Sequence, residues 1–126
     1  MSVPISRPVH GIADYTYVAT VAAALMHFGF ENNKAASGVC RFLAGATLVY
    51  TIFTRAEWGL VRVIPHKKHL ASEAVGGLLA IGAPWLFGFS EDVRARNSML
   101  AFGTISMLAS SLSEPEEMTD CETNQD

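Results

Sequence analysis

The sequence predicts an all-α fold: a four-span transmembrane helix bundle built from two tandem two-helix repeats, with an acidic tail. Half of the 126 residues are hydrophobic, and the mean hydropathy of +0.26 is high for a soluble protein of this size. The apolar residues gather in four runs that hold only three charged side chains, and the stretches that begin at His10 and at His69 resemble each other. The runs cover residues 11–30, 36–53, 70–89 and 98–112.

Helices fit these runs better than strands. The runs are long, rich in Ala, Leu and Gly, and show no sustained alternation of apolar and polar residues. Pro8 and Pro65 stand just ahead of the first and third runs, where the start of a helix tolerates proline. The turn-forming segments 30–38 and 89–97 separate the runs within each half.

Membrane spans fit the runs better than the helices of a soluble bundle. Crossing about 30 Å of hydrocarbon takes roughly 20 residues, which the first and third runs supply and the other two reach with their flanks. A soluble bundle helix would carry polar residues along one face, whereas the charged residues inside the runs are only Asp14, Arg41 and Glu73. Glycines inside the runs would let helices approach closely in lipid.

Loop charges predict the topology. With four spans, both termini share a side with the loop at residues 54–68, and that side carries five Lys and Arg against four on the other. The positive-inside tendency then predicts a multi-pass protein of the bacterial inner (plasma) membrane with both termini cytoplasmic. The loop at 54–68 is either a short amphipathic segment lying along the interface or a plain connector.

The charge distribution separates a body from a tail. The net charge is −3, but six of the twelve acids and none of the nine Lys and Arg follow Leu112. This pattern predicts a membrane domain at residues 1–112, with repeats at about 7–54 and 65–112, and a disordered acidic tail at 113–126. No basic stripe with interleaved aromatics is present, so nucleic acid is not expected as a partner.

The two halves align when the sequence is shifted so that His10 falls on His69. This shift, called the repeat offset below, also places Asp14 on Glu73, Ala24 on Ala83, and the Phe-Gly-Phe at 28–30 on the one at 87–89. These matches predict an internal duplication. Because each unit holds two spans, the units should be related by a pseudo-twofold axis along the membrane normal.

A family resemblance rests on the end of the third run. Ala83-Pro84-Trp85, followed by Leu86-Phe87-Gly88-Phe89, resembles the Ser-Pro-Trp signature of the SPW-repeat family of small, mostly bacterial integral membrane proteins. The resemblance covers about residues 7–112, with Ala83 in place of the serine and Leu25-Met26-His27 where the first unit would carry Pro-Trp. It implies a membrane protein and no settled activity, so it assigns no catalytic residue. The motif residues are Phe28, Gly29, Phe30, Pro84, Trp85, Phe87, Gly88 and Phe89.

Two residues of this motif have expected structural roles. Pro84 lies in the third run, where a proline is expected to kink the helix. Trp85 suits the boundary between lipid and water.

A candidate site comes from histidine-carboxylate pairs at four-residue spacing. His10 and Asp14 share one helix face, as do His69 and Glu73, and His66 extends the second stripe. The pseudo-twofold axis would put both pairs at one depth, where a zinc or iron ion would suit them. Alternatives are local helix-stabilising pairs, a basic anchor for anionic lipid, axial ligands of haem, proton or ion handling, and no cofactor.

These observations predict a binding or sensing role for a polar pocket formed by the two repeats. One alternative is a membrane-embedded metal-dependent hydrolase, which would need an open water position and a base. Another is a structural or assembly subunit that associates with a membrane-protein partner, or with itself, through glycine-rich faces. No nucleophile elbow, phosphate loop or dinucleotide fingerprint is present, so whether the chain is an enzyme stays open.

Overall fold

The computed structural model describes residues 5–30 and 32–124, with the side chains of residues 25, 26 and 123 also outside the description. Within that part of the chain, the fold is all-helical. Four substantial helices are followed by one short turn of helix, and extended pairing is limited to two isolated bridges. The helices are α1 (Arg7–His27), α2 (Lys34–Phe53), α3 (His66–Leu86), α4 (Val93–Ser111) and α5 (Asp120–Thr123). The prediction of an all-α fold is confirmed.

Each long helix begins a few residues before its apolar run, because the first turn is polar. Asn33 and Asp92 cap α2 and α4: their side chains accept hydrogen bonds from the amides of Ala36 and Ala95, at 3.1 Å each. These caps satisfy amides that have no partner inside the helix. Asn33 also donates to the Asp92 carboxylate at 2.9 Å, which joins the two caps to each other.

The two Phe-Gly-Phe segments end α1 and α3. Gly29 and Gly88 have φ of +72° and +74°, the left-handed conformation that commonly ends helices and suits glycine. Each glycine turns the chain so that the second phenylalanine enters the core, where Phe30 and Phe89 are 2% and 4% exposed. The Phe-Gly-Phe motif therefore marks a helix end that is followed by a buried phenylalanine. Trp85, by contrast, is 60% exposed.

Pro84 lies inside α3, half a turn from its end. A proline there removes the backbone donor that would have bonded the carbonyl of Ala80. The helix nevertheless continues to Leu86, and the next amides bond the carbonyls of Ala83 and Pro84. The predicted kink stays a prediction.

The helices form two hairpins, α1 with α2 and α3 with α4, that meet along α2–α3 and α1–α4. In this order α1 and α3 face each other diagonally across the bundle. The α3–α4 contact is tight, because a Cβ on Gly77 would lie 2.9 Å from the backbone oxygen of Gly103, and one on Gly103 would lie 2.6 Å from that of Gly77. The core between the hairpins contains Val21, Ala24, Phe30, Ala36, Cys40, Leu43, Ala80, Ala83, Phe89, Ala95, Met99 and Phe102.

The segment between α2 and α3 is an irregular connector that packs against the start of α1. Trp58 packs against Gly11, where a Cβ would approach its ring to 2.5 Å, and the indole nitrogen donates to the carbonyl of Pro8 at 2.9 Å. Its other apolar residues face outward, with Leu60 77% and Val63 63% exposed. The connector is not a helix, but its exposed apolar side chains suit a position at a membrane surface.

The described part of the acidic tail, residues 113–124, contacts the bundle rather than extending freely. Met118 is 4% exposed, and Glu117 accepts hydrogen bonds from the backbone amides of His66 and Lys67 at the start of α3. Asp120 pairs with Arg55 at 3.0 Å. In these contacts the tail's carboxylates meet basic groups and a helix N-terminus from distant parts of the chain. The disordered tail expected from the sequence stays a prediction.

Among the described residues, one helix meets the length and composition of a membrane span. This helix is α2, with a mean hydropathy of 1.4 over its most apolar stretch. The other three carry more polar residues or glycines, which lower their hydropathy. The four-span arrangement stays a prediction.

Candidate metal centre

Four of the five predicted site residues meet where α1 and α3 face each other. Each of His10, Asp14, His69 and Glu73 offers one ligating atom, and these atoms all lie within 4.8 Å of one another. The closest contacts cross between the helices: His69 Nε2 lies 2.9 Å from Asp14 Oδ2, and His10 Nε2 lies 3.1 Å from Glu73 Oε2. His10 Nε2 is also 3.3 Å from Asp14 Oδ1, one turn away on α1.

The centre is buried, and its polar atoms are incompletely satisfied. The side chains of His10, His69 and Asp14 are between 1% and 4% exposed, and that of Glu73 is 10% exposed. His10 Nε2, His69 Nε2 and Glu73 Oε2 have no hydrogen-bond partner of acceptable geometry, although oxygens and nitrogens lie nearby. Buried polar atoms in folded proteins are normally paired. Here the histidine nitrogens instead lie 2.9 to 3.3 Å from carboxylate oxygens, and the four side chains form a group that could hold a metal ion.

Two hydroxyls determine which nitrogen of each ring faces the centre. Thr54 donates its single hydroxyl hydrogen to the carbonyl of Tyr50, so it accepts from His69 Nδ1–H at 2.8 Å. Ser113 likewise donates to the carbonyl of Ala109 and accepts from the Nδ1–H of His10. Neutral rings held in this tautomer present the Nε2 lone pair to the centre, which is the state of a histidine that binds metal.

The two hydroxyl contacts are related by the repeat offset, because the shift that carries His10 to His69 also carries Thr54 to Ser113. Sequence reasoning assigned the histidines and acids but missed both hydroxyls. The signal was present, since a hydroxyl residue directly follows α2 and the corresponding position after α4 carries another.

The fifth predicted residue, His66, lies beside this group and not in it. Its ring stacks on that of His69 with centroids 6.2 Å apart, and its Nε2 lies 3.0 Å from the carbonyl oxygen of Glu114. Its Nδ1 is buried without a partner. His27 is exposed at the other end of α1, where its ring contacts that of Phe28.

The loop and the tail close the centre on the side of the chain termini. Only a cavity of about 10 Å³ remains there, lined by residues that include Arg7, Trp58 and His66. Arg7 closes this end with a two-point contact to Glu57, at 2.7 Å from Nη2 and 3.0 Å from Nε. The guanidinium holds the pKa of the Glu57 carboxyl below its ordinary value of 4.5.

Comparison with protein families finds one match. The family model described as the SPW repeat domain matches residues 8–113, which is most of the chain and includes all five predicted site residues. Comparisons with curated proteins and with solved structures returned no match.

Proposed function

The chain belongs to the SPW repeat family, and from that premise we propose that it is a small membrane protein whose two halves bind one divalent metal ion. The role is binding or sensing, and zinc and iron(II) are the best candidate ions. The observation that carries the proposal is the convergence of two imidazole nitrogens and two carboxylates. The Nδ1 atom of each imidazole is hydrogen-bonded to a hydroxyl.

The outer surface of the helices supports a membrane location. Each of the four long helices has large aliphatic side chains on its outer surface. A soluble bundle would have polar residues at these positions. The family is membrane-associated, and α2 meets the criteria of a span. We propose four spans in the bacterial inner membrane with both termini cytoplasmic. The exposed aliphatic residues include Val9, Ile12, Leu48, Val49, Val75, Leu78, Ile105 and Leu108.

The repeat offset supports an origin by tandem duplication. It relates the start and end of α1 to those of α3, and the two positive-φ glycines to each other. It also relates the isolated bridge between Ile5 and Ser113 to the one between Ile64 and Thr54. Because each half supplies one histidine and one acid, the proposed ion lies where both halves meet.

The donor set fits one transition-metal ion. Zinc and iron(II) accept imidazole nitrogen and carboxylate oxygen as ligands. Bonds of about 2.1 Å in a tetrahedron separate neighbouring ligands by roughly 3.4 Å. The three nitrogen-to-oxygen distances of 2.9, 3.1 and 3.3 Å are somewhat shorter than that value, and all four ligating atoms lie within 4.8 Å of one another, so modest shifts of the side chains would admit the ion.

Charge favours a cation over an apo centre made only of local pairs. Two carboxylates and two imidazoles face one another in a buried space, where a carboxylate without a compensating positive charge is costly. A divalent ion would neutralise both acids and satisfy both nitrogens at once. Protons would satisfy part of the same group, so metal content is the measurement that distinguishes the two states.

The same geometry ranks the alternatives. A hydrolase would have three protein ligands and an open water position, whereas this group has four candidate ligands. Haem would need room for its macrocycle between the imidazoles of His10 and His69, and there the carboxylates of Asp14 and Glu73 lie within 3.3 Å of the ring nitrogens. A purely structural or assembly role would not explain why four ionisable side chains are buried together.

Metal analysis of the full chain tests the proposal. The protein is purified in detergent without a polyhistidine tag and analysed by inductively coupled plasma mass spectrometry. We expect about one zinc or iron per chain, with the metal lost in His69→Ala and in His10→Ala. His27→Ala is the control, because it removes an exposed histidine far from the centre. Metal-free wild-type protein after growth with added zinc and iron would refute the proposal.

A further inference from the structure

Two sides of the bundle offer a route to the candidate metal centre, and one of them does not suit a cation. A cavity of about 440 Å³ between α2 and α3 reaches His69 and Glu73. Its walls are mostly apolar, and Phe42 and Val75, which line it, are 61% and 66% exposed. In the proposed membrane orientation this opening faces lipid, where a divalent ion is very costly to place. The side of the chain termini is therefore the route that suits an ion.

Two segments cover the centre on that side: the connector between α2 and α3, and the tail at residues 113–124. The connector continues into a helix at both ends, and the amides of Leu60 and Val63 donate to the carbonyls of Ile52 and Phe53. The tail continues from α4 at one end, and its far part is held through side chains such as Met118, which is 4% exposed. A segment held in this way opens at a lower cost than one fixed between two helices. The tail is thus the part of the cover that can detach while the bundle stays folded.

His66 lies between the tail and the centre and has an imidazole lone pair to offer. Its Nε2–H donates to the carbonyl of Glu114 at 3.0 Å, because a carbonyl can only accept. In the neutral ring the lone pair is then on Nδ1, which is buried without a hydrogen-bond partner among the described residues. The ring centroid is 5.7 Å from that of His10 and 6.2 Å from that of His69. The three rings line one cavity of about 10 Å³, roughly the room that one water molecule needs.

The tail holds His66 and one of the ligating histidines directly. Ser113 accepts from the Nδ1–H of His10, and the carbonyl of Glu114 accepts from His66. The Glu117 carboxylate accepts from the amides of His66 and Lys67 at 2.8 and 2.9 Å. Detaching the tail beyond Glu114 would therefore uncover the start of α3 and the ring of His66. The tail also places five acids between residues 114 and 122 at this entrance, which would raise the local concentration of cations.

We infer that the tail is a gate for metal exchange: the ion enters and leaves the centre past the detached tail, and His66 Nδ1 binds it transiently on the way. This inference rests on the proposed function, because it concerns the same ion. His66 is not a ligand of the final bound state, so it changes the rates of uptake and release and leaves the affinity unchanged.

Stopped-flow measurement of zinc uptake and release tests the gate, with the full chain in lipid nanodiscs and a fluorescent zinc chelator. Glu117→Ala and Met118→Ala weaken the hold on the tail, and each should raise both rates at least about fivefold while the dissociation constant stays within about twofold. The matched control is Glu116→Ala, which removes the same charge from an exposed neighbouring residue and should leave both rates as in wild type. Unchanged rates in the two tail variants would overturn the inference.

His66→Phe gives a test in which a ligand role and a structural role predict opposite signs. The variant keeps a flat ring beside His69 but has no ring nitrogen. Because it loses the bond to Glu114, a structural role alone predicts a looser tail and faster exchange. A transient ligand predicts that both rates fall at least about fivefold at an unchanged dissociation constant. Rates equal to or above those of wild type would overturn the role of His66, and so would a weaker dissociation constant with unchanged uptake.

Gly76→Leu tests the route. Gly76 lines the cavity between α2 and α3, and a Cβ there would meet no atom within 4 Å, so a larger side chain can fill the space. We expect zinc exchange at the wild-type rate in this variant. Slower exchange would show that the ion passes through the lipid-facing cavity and would overturn the inference.

Zinc content, measured on the same samples, separates this inference from the proposed function. About one zinc per chain together with rates that the tail variants do not change overturns the gate and leaves the metal proposal standing. Wild-type protein that takes up no zinc refutes the metal proposal, and the gate with it.

Discussion

The hydroxyl of Thr54 offers the sharpest test of how the candidate centre is organised. In Thr54→Val the side chain keeps its shape but loses the group that accepts from His69 Nδ1–H at 2.8 Å. The ring is 3% exposed, so water cannot readily replace the lost acceptor. Nothing then favours the tautomer that presents Nε2 to the ion.

The expected loss of metal affinity follows from other metal sites in which a group hydrogen-bonds the non-ligating nitrogen of a histidine ligand. Removing such a partner typically weakens metal binding by about 10- to 100-fold, or roughly 1.4 to 2.8 kcal/mol at about 1.4 kcal/mol for each factor of ten. Ser113→Ala should have an effect of the same order on the His10 side. Neither change removes a ligand, so the ion should still bind in both variants.

Competition with a fluorescent zinc chelator in detergent measures this effect as a dissociation constant. The control is Thr104→Val, the same substitution at an exposed hydroxyl that bonds only the carbonyl of Leu100 on α4. We expect the control to bind zinc like wild type. If Thr54→Val also binds within about twofold of wild type, the assigned tautomer is wrong.

Two further predictions concern the helix packing and the closed end of the bundle. Gly77→Ala should lower the free energy of unfolding by about 1 to 3 kcal/mol, because its Cβ would lie 2.9 Å from the Gly103 oxygen. Gly38→Ala is the control, since its Cβ would meet nothing within 4 Å. Equal melting temperatures of the two variants in detergent would contradict this prediction. The Glu57 carboxylate paired with Arg7 has a lowered pKa, so the pair stabilises the fold above pH 4.5 and less as the pH falls through the folded-state pKa. Glu57→Gln should therefore lose less melting temperature than wild type between about pH 6 and about pH 3, and parallel losses would speak against the pair.

Much of the fold could be predicted from local patterns in the sequence. The apolar runs placed all four long helices, although Asn33 and Asp92 move the starts of α2 and α4 into polar residues. The repeat offset singled out His10, Asp14, His69 and Glu73, which the structure brings together. No local pattern predicts the contacts of the tail with Arg55 and with the start of α3, because they join residues far apart in the chain.

The sequence alone determined the number and approximate positions of the long helices and which polar residues share a helix face. These properties depend on caps, glycines and spacing within a few residues, so they can be read locally. Only the tertiary structure decided that His69 pairs with Asp14 and His10 with Glu73, and that hydroxyls hold the outer nitrogens. Those contacts depend on how far each helix rotates about its axis and how closely the hairpins pack, which side chains throughout the core determine together.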